Sequence, residues 1–173
     1  AVKQLGLDIQ TFAKAIGTFT GAAKRLELIA KNDATVFYRD FAHAPSKVKA
    51  TIQAAKEQFP DKKLIGVLEL HTYSSLNEAF MNEYKDSLAA ADEAAVFYSK
   101  HALELKRMPE LKKEAVRNGF GKETLEVITD RPHLENWLSE RDFTNAIVLF
   151  MSSGNYDGLD VVHFSEKIAY ATE

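Results

Sequence analysis

The sequence predicts an α/β fold built on an open, mainly parallel sheet flanked by helices, with a β-hairpin at its N-terminal side. Three observations carry this. Apolar β-type runs alternate with amphipathic helical segments from Pro45 onward, the strand candidates are apolar on both faces, and a short antiparallel pair precedes them.

Val2 to Phe19 has helical spacing, with Leu5, Ile9, Phe12 and Ile16 on one stripe, and Gly17 to Gly21 then breaks the pattern as a hinge or linker. Because the first residue is Ala1 and a helix is already under way, the chain is expected to begin inside something larger. Leu26–Ile29 and Thr35–Phe41 are β-type runs joined by Asn32-Asp33, residues that tolerate left-handed backbone, so they are expected to form a hairpin. Pro45 opens a helix with Val48, Ile52, Ala55 and Phe59 on one face, and Pro60-Asp61 ends it. The alternation continues with strand Leu64–Leu70, helix Leu76–Ala91, strand Ala94–Tyr98, a polar loop Ser99–Met108, and a helix from Pro109 to about Asn118. Strand Leu125–Ile128, helix Pro132–Glu140, strand Ala146–Met151 and a last helix from about Leu159 complete it. Such a sheet is Rossmann-like, with right-handed crossovers.

Composition narrows the function classes. With 173 residues, 46% of them hydrophobic, the chain can bury the core of about one domain. A net charge of −3, from 22 basic and 25 acidic residues interleaved along the chain, provides no field for nucleic acid or an anionic membrane. The absence of cysteine excludes disulfides, thiolate zinc sites and cysteine nucleophiles. No apolar run approaches the roughly 20 residues of a membrane span, and a cytoplasmic location is the expectation. The five histidines lack metal-ligand spacing, so no metal site is expected in this chain. Neither Gly-x-x-x-x-Gly-Lys-Ser/Thr nor Gly-x-Gly-x-x-Gly nor Gly-x-Ser-x-Gly occurs. The chain therefore lacks a complete catalytic apparatus of its own.

Ligands of open α/β sheets sit beyond the carboxyl ends of the strands, which directs attention to Arg39–Ser46, Glu69–Ser75, Ser99–Arg107 and Ser152–Asp157. In Asp40-Phe41-Ala42-His43-Ala44-Pro45-Ser46, a carboxylate and an imidazole stand where a helix begins and its free N–H groups face outward. Capping by Asp40 and Ser46, with His43 filling a gap, is the plainer alternative. His71-Thr72-Tyr73-Ser74 presents four hydrogen-bonding side chains in a row, for a ligand or in part for a helix cap. Ser152-Ser153-Gly154-Asn155 is a small-residue turn whose backbone N–H groups can approach a ligand, although the same residues also make ordinary turns. Arg25 and Glu27 flank Leu26 and read by default as an exposed charge pair.

These residues also carry a resemblance. Arg25-Leu26-Glu27, Asp40-Phe41-Ala42-His43-x-Pro and Val48-Lys49-Ala50-Thr51 resemble the entry to the C-terminal domain of the Mur ligase family. His71-Thr72-Tyr73-Ser74, Ala91-Asp92 and Met151-Ser152-Ser153-Gly154-Asn155 are similar to the branch that acts on UDP-N-acetylmuramate. The resemblance implies that residues 1–23 are the end of a central ATPase domain and its linker, and that residues 24–173 are the C-terminal domain. It implies a reaction in which ATP phosphorylates the muramate carboxylate and an incoming amine displaces phosphate, with magnesium and the phosphate loop supplied by the central domain. Arg25 and Asp40 would meet ATP, with His43 beside them, while His71, Thr72, Tyr73, Ser74, Ser152, Ser153, Gly154 and Asn155 would bind substrate. Arg25 and Asp40 are accordingly expected to serve catalysis more than folding.

Within the family the residues are most similar to ligases that join UDP-N-acetylmuramate to the murein tripeptide L-alanyl-γ-D-glutamyl-meso-diaminopimelate. Ser75-Leu76-Asn77 follows the His-x-Tyr-Ser stretch, and the last loop is Ser-Ser-Gly-Asn rather than Gly-Ala-Gly; both favour the tripeptide branch over the L-alanine branch. Lys100, Lys106 and Arg107 would then meet tripeptide carboxylates. A stand-alone nucleotide-binding module and a structural interaction domain are the competing readings.

Overall fold

A computed structural model describes residues 26–171. The expected opening helix, the hinge at Gly17–Gly21 and Arg25 lie outside the described residues. Six strands form one sheet in the order β1-β2-β6-β3-β4-β5. They are β1 (Glu27–Lys31), β2 (Thr35–Asp40), β3 (Lys63–Glu69), β4 (Glu93–Phe97), β5 (Glu126–Ile128) and β6 (Ala146–Met151). Only β1 runs antiparallel, to β2; the other pairs are parallel.

The expected hairpin is present, but its turn works differently from the expectation. Neither Asn32 nor Asp33 adopts positive φ. Asn32 instead accepts the N–H groups of Ala34 and Thr35 on Oδ1 at 2.9 and 2.7 Å, so its side chain closes the turn.

Helix α1 (Pro45–Gln58) starts at Pro45 as predicted and buries Val48, Ile52 and Ala55. Its N-cap is Ala44, which makes no side-chain capping bond, so neither Asp40 nor Ser46 caps this helix. The chain then runs through α2 (Lys100–Leu105), α3 (Lys113–Phe120), α4 (Arg131–Ser139) and α5 (Val161–Ala169). Ser99, Asp130 and Asp160 accept N–H groups at the starts of α2, α4 and α5.

Two expectations fail. Residues 76–91 are not an α-helix but a 3₁₀ segment, Glu78–Tyr84, followed by turns. The cause is packing. A Cβ on Gly119 would stand 2.5 Å from the Met81 Cβ, Tyr84 stacks on Phe120 at 4.8 Å, and the Asp86 N–H donates to the Phe120 carbonyl at 3.1 Å. Asp86, at φ 60°, turns the chain out of any helical path. The second failure is Ser99–Met108, expected as a loop, which contains α2; Leu103 is its one buried residue.

Strand β6 is buried along its whole length and is flanked by β2 and β3. Each face of the sheet has its own core. Val48, Ile52, Tyr84, Val116 and Phe120 pack on one side, and Phe37, Phe150, Leu134, Leu138 and Tyr156 on the other. No helix among the described residues is long and apolar enough to cross a membrane.

Candidate functional site

The parallel register puts the carboxyl ends of β2, β6 and β3 side by side, with Asp40 opposite Met151 and Met151 opposite Leu68. Asp40 ends β2, and its main-chain carbonyl accepts the Ser152 N–H at 3.0 Å, which fastens the last loop to the first. Its carboxylate takes the Leu26 N–H on Oδ2 and the Ala42 N–H on Oδ1, both at 2.6 Å. Asp40 thus serves backbone groups on both sides of β2. Four lone-pair sites on a carboxylate leave it further acceptor capacity.

A cavity of about 170 Å³ opens beyond β2 and β6, lined by Arg39, Asp40, Ser152, Gly154, Asn155 and Asp160, with Phe150, Leu159 and Val161 as apolar wall. Arg39 makes a two-pronged contact with Glu27 across the hairpin at 2.8 and 2.9 Å. The Glu27 hydrogen bond, and the charge of Asp160 after it, hold Arg39 more firmly protonated than usual.

The most connected group of the site was not singled out from sequence. Glu69, at the end of β3, is only 2% exposed. Its Oε2 accepts the Ser152 hydroxyl and, at 2.9 Å, the Tyr156 N–H. His71 Nδ1 lies 3.6 Å from Glu69 Oε1, with the imidazole partly open to solvent. Gly154 closes over both, since a Cβ there would stand 2.7 Å from Glu69 Oε2 and 2.8 Å from the His71 ring. Glycine is demanded here by the close approach rather than by its φ. The available signal was a carboxylate ending an otherwise apolar strand, a position at which burial needs partners.

The loop after β6 is sharply wound. Tyr156, Asp157 and Gly158 all adopt left-handed φ values of 52°, 57° and 83°. The buried Tyr156 hydroxyl lies 2.9 Å from the carbonyls of both Val67 and Met151, and burial raises its pKa well above the usual 10.0. These bonds over-determine the winding.

His43 donates from Nδ1 to the Phe41 carbonyl at 2.8 Å, sits edge-on to the Phe41 ring, and accepts the Tyr84 hydroxyl on its carbonyl at 2.5 Å. It lines α1's approach rather than the cavity. The Thr72 hydroxyl bonds Ser75 at 2.9 Å and lies 3.2 Å from the Ser74 hydroxyl, a local turn network built on the buried Ser75. Tyr73 is 65% exposed. Lys106 extends its ammonium over the Tyr73 ring at 5.0 Å, joining two of the predicted segments. The Ser153 hydroxyl is buried without a hydrogen-bond partner among the described residues. Asp92 lies at the amino ends of β3 and β4, where it holds Lys56 at 2.8 Å and the Leu64 N–H at 2.7 Å, and so ties elements together away from the crevice. Among the described residues, no three His, Asp or Glu side chains converge as metal ligands would.

Residues 24–154 match the family model described as "Mur ligase, glutamate ligase domain". The chain belongs to this family. Over 89 residues, half of this chain and 20% of the relative, it is 40% identical to UDP-N-acetylmuramate–L-alanine ligase of Lactobacillus delbrueckii subsp. bulgaricus. The fold of this Mur ligase domain is similar to that of a murein peptide ligase from Psychrobacter arcticus 273-4, with a TM-score of 0.70 at 20% identity, covering 97% of this chain and 34% of that one. It is also similar to a single domain from a Haemophilus ducreyi 35000HP protein described as a UDP-N-acetylmuramate:L-alanyl-γ-D-glutamyl-meso-diaminopimelate ligase, with a TM-score of 0.58 at 24% identity, covering 85% and 98%. The chain thus spans between a fifth and a third of the larger relatives it matches.

Proposed function

We propose that this chain is the C-terminal domain of an ATP-dependent ligase that joins a murein tripeptide to UDP-N-acetylmuramate in peptidoglycan recycling, with residues 24–173 as that domain and residues 1–23 as the end of the preceding one. The carrying observation is that Asp40, Ser152, Gly154 and Asn155 line one crevice beyond the strand ends, with Glu69 and His71 packed against Gly154. Such a crevice suits two ligands meeting around one loop.

The Asp40 carboxylate and the polar wall beside it fit the ribose of a nucleotide, because spare carboxylate lone pairs accept hydroxyl protons. When bound, ATP supplies the phosphoryl group that activates the muramate carboxylate. Asp40 orients it, and Arg25 adds a permanent positive charge against the phosphates. Among the described residues no three carboxylate or imidazole groups gather as a magnesium site would need, and no step is derived from the metal. A related ligase from Thermotoga maritima was solved in complex with ADP, at a TM-score of 0.57, which supports a nucleotide role for the fold.

The amino component falls to His71, Tyr73, Ser74 and the Ser152–Asn155 loop. The exposed Tyr73, with the Lys106 ammonium over its ring, adds an aromatic face and a cation next to His71, more than a single small amino acid needs. That favours the tripeptide. The 40% identity to an L-alanine ligase favours the second reading, free L-alanine as the amine. Steady-state rates with each amine, at matched ATP and UDP-N-acetylmuramate, decide between them in the enzyme that carries this domain. Preference for the tripeptide is expected; ligation of L-alanine with none of the tripeptide overturns it.

A further inference from the structure

Glu69 poses a question that the substrate-binding residues do not answer. A carboxylate buried to 2% exposure at the end of a central strand is costly unless it is compensated. Its partners come from two different loops. Oε2 receives the Ser152 hydroxyl and the Tyr156 N–H, both from the segment after β6, while Oε1 faces the Nδ1 side of His71, from the segment after β3, at 3.6 Å. Neither Lys nor Arg is paired with Glu69 among the described residues.

That arrangement has a chemical consequence for His71. A neutral imidazole carries its proton on one nitrogen and a lone pair on the other, and the group facing one nitrogen selects the tautomer. A carboxylate facing Nδ1 favours the N–H there. At 3.6 Å the contact is an electrostatic one, longer than a hydrogen bond, and it is of the kind that tightens when a ligand closes a site. Nε2 is left as the acceptor, on a side chain that is 38% exposed. The ring cannot tilt toward the last loop without striking Gly154, whose missing Cβ gives just enough room for the present pose.

We propose that Glu69 is a positioning residue that holds His71 as the Nδ1–H tautomer and locks it to the Ser152–Tyr156 loop, so that Nε2 presents a lone pair to the amino group of the incoming amine. This rests on the proposed ligase reading for the identity of the ligand, but not for the tautomer. Glu69 touches no substrate; it acts through His71 and the loop. A single carboxylate thereby couples the two segments that must bind the amino component together, as outer partners of a ligating histidine commonly do.

The test has two arms. ¹⁵N NMR of the imidazoles in this chain, with His71 assigned through His71→Asn, reads the tautomer directly and needs no ligase activity. The Nδ1–H form is expected in the parent, and Glu69→Gln is expected to shift His71 toward Nε2–H while the amide fingerprint stays native. An Nε2–H tautomer in the parent overturns the proposal, even where Glu69→Gln fails to fold. So does an unchanged tautomer in a folded Glu69→Gln. In the second arm, Glu69→Gln in the enzyme that carries this domain is expected to raise the KM for the amine by about tenfold or more, leaving the KM for ATP unchanged. An unchanged KM for the amine removes the functional part of the claim. An enzyme that ligates no murein amine, combined with the expected tautomer, condemns the ligase reading and not the role of Glu69.

Discussion

Asp40→Ala tests whether this carboxylate is only a ligand contact. The family resemblance implies a catalytic role for Asp40, and in the structure both its oxygens accept backbone N–H groups at 2.6 Å, from Leu26 and Ala42. Leu26 is a non-glycine residue at φ 42°, a conformation that needs an external hold. Hydrogen bonds to a charged acceptor contribute about 1.5–3 kcal/mol each. Asp40 is half-buried, which places both at the lower end, so the pair sums to about 3 kcal/mol. For a domain of this size each kcal/mol moves the melting temperature by roughly 2–4 °C, and Asp40→Ala is expected to melt about 6–12 °C lower. Asp40→Asn, which keeps one carbonyl acceptor, should lose about half of that. Circular dichroism melts of this chain measure both, and hydrogen exchange at the Leu26 and Ala42 amides should quicken in the same order. An Asp40→Ala variant melting within about 2 °C of the parent would refute the structural role and return Asp40 to a purely ligand-facing one.

Two further outcomes follow from the geometry. Gly154→Ala forces Glu69 or His71 to retreat by roughly 0.7 Å, an overpacking cost of about 1–3 kcal/mol seen as a lower melting temperature; an unshifted melt would mean the loop relaxes freely. Burial raises the pKa values of Tyr84 and Tyr98 from 10.0 to about 12, so their contribution to stability is complete below pH 10 and lost as pH rises through 12. Absorbance of the phenolates should therefore show these two ionising only with alkaline unfolding near pH 12, and ionisation of either near pH 10 in the folded chain would count against their burial.

The fold was largely legible because its strands are buried on both faces. Ala146–Met151 reads as a continuous apolar run and is β6 to the residue. The 76–91 stretch was not legible. Leu88-Ala89-Ala90-Ala91 and its neighbours favour a helix locally, but contacts with α3, 30 or more residues away, bend the chain instead. Helix α2 was hidden for the opposite reason: with Leu103 alone buried, it shows no apolar stripe. Of the site, the polar loops could be read from composition and from where strands must end. The partnership of Glu69 with Ser152 could not, since 83 residues separate them and only the insertion of β6 beside β3 brings them together.

That insertion also dictates when the sheet can exist at all. Strands β2 and β3 do not pair with each other; each pairs with β6, the last of the six described strands along the chain. Until β6 is available, the sheet can exist at most as two parts, β1-β2 and β3-β4-β5, with nothing to join β2 to β3. Such gaps are slow to close and prone to capture by other chains. Assembly therefore waits for one late segment, and a chain truncated before Ala146 would lose the middle of its sheet rather than its end.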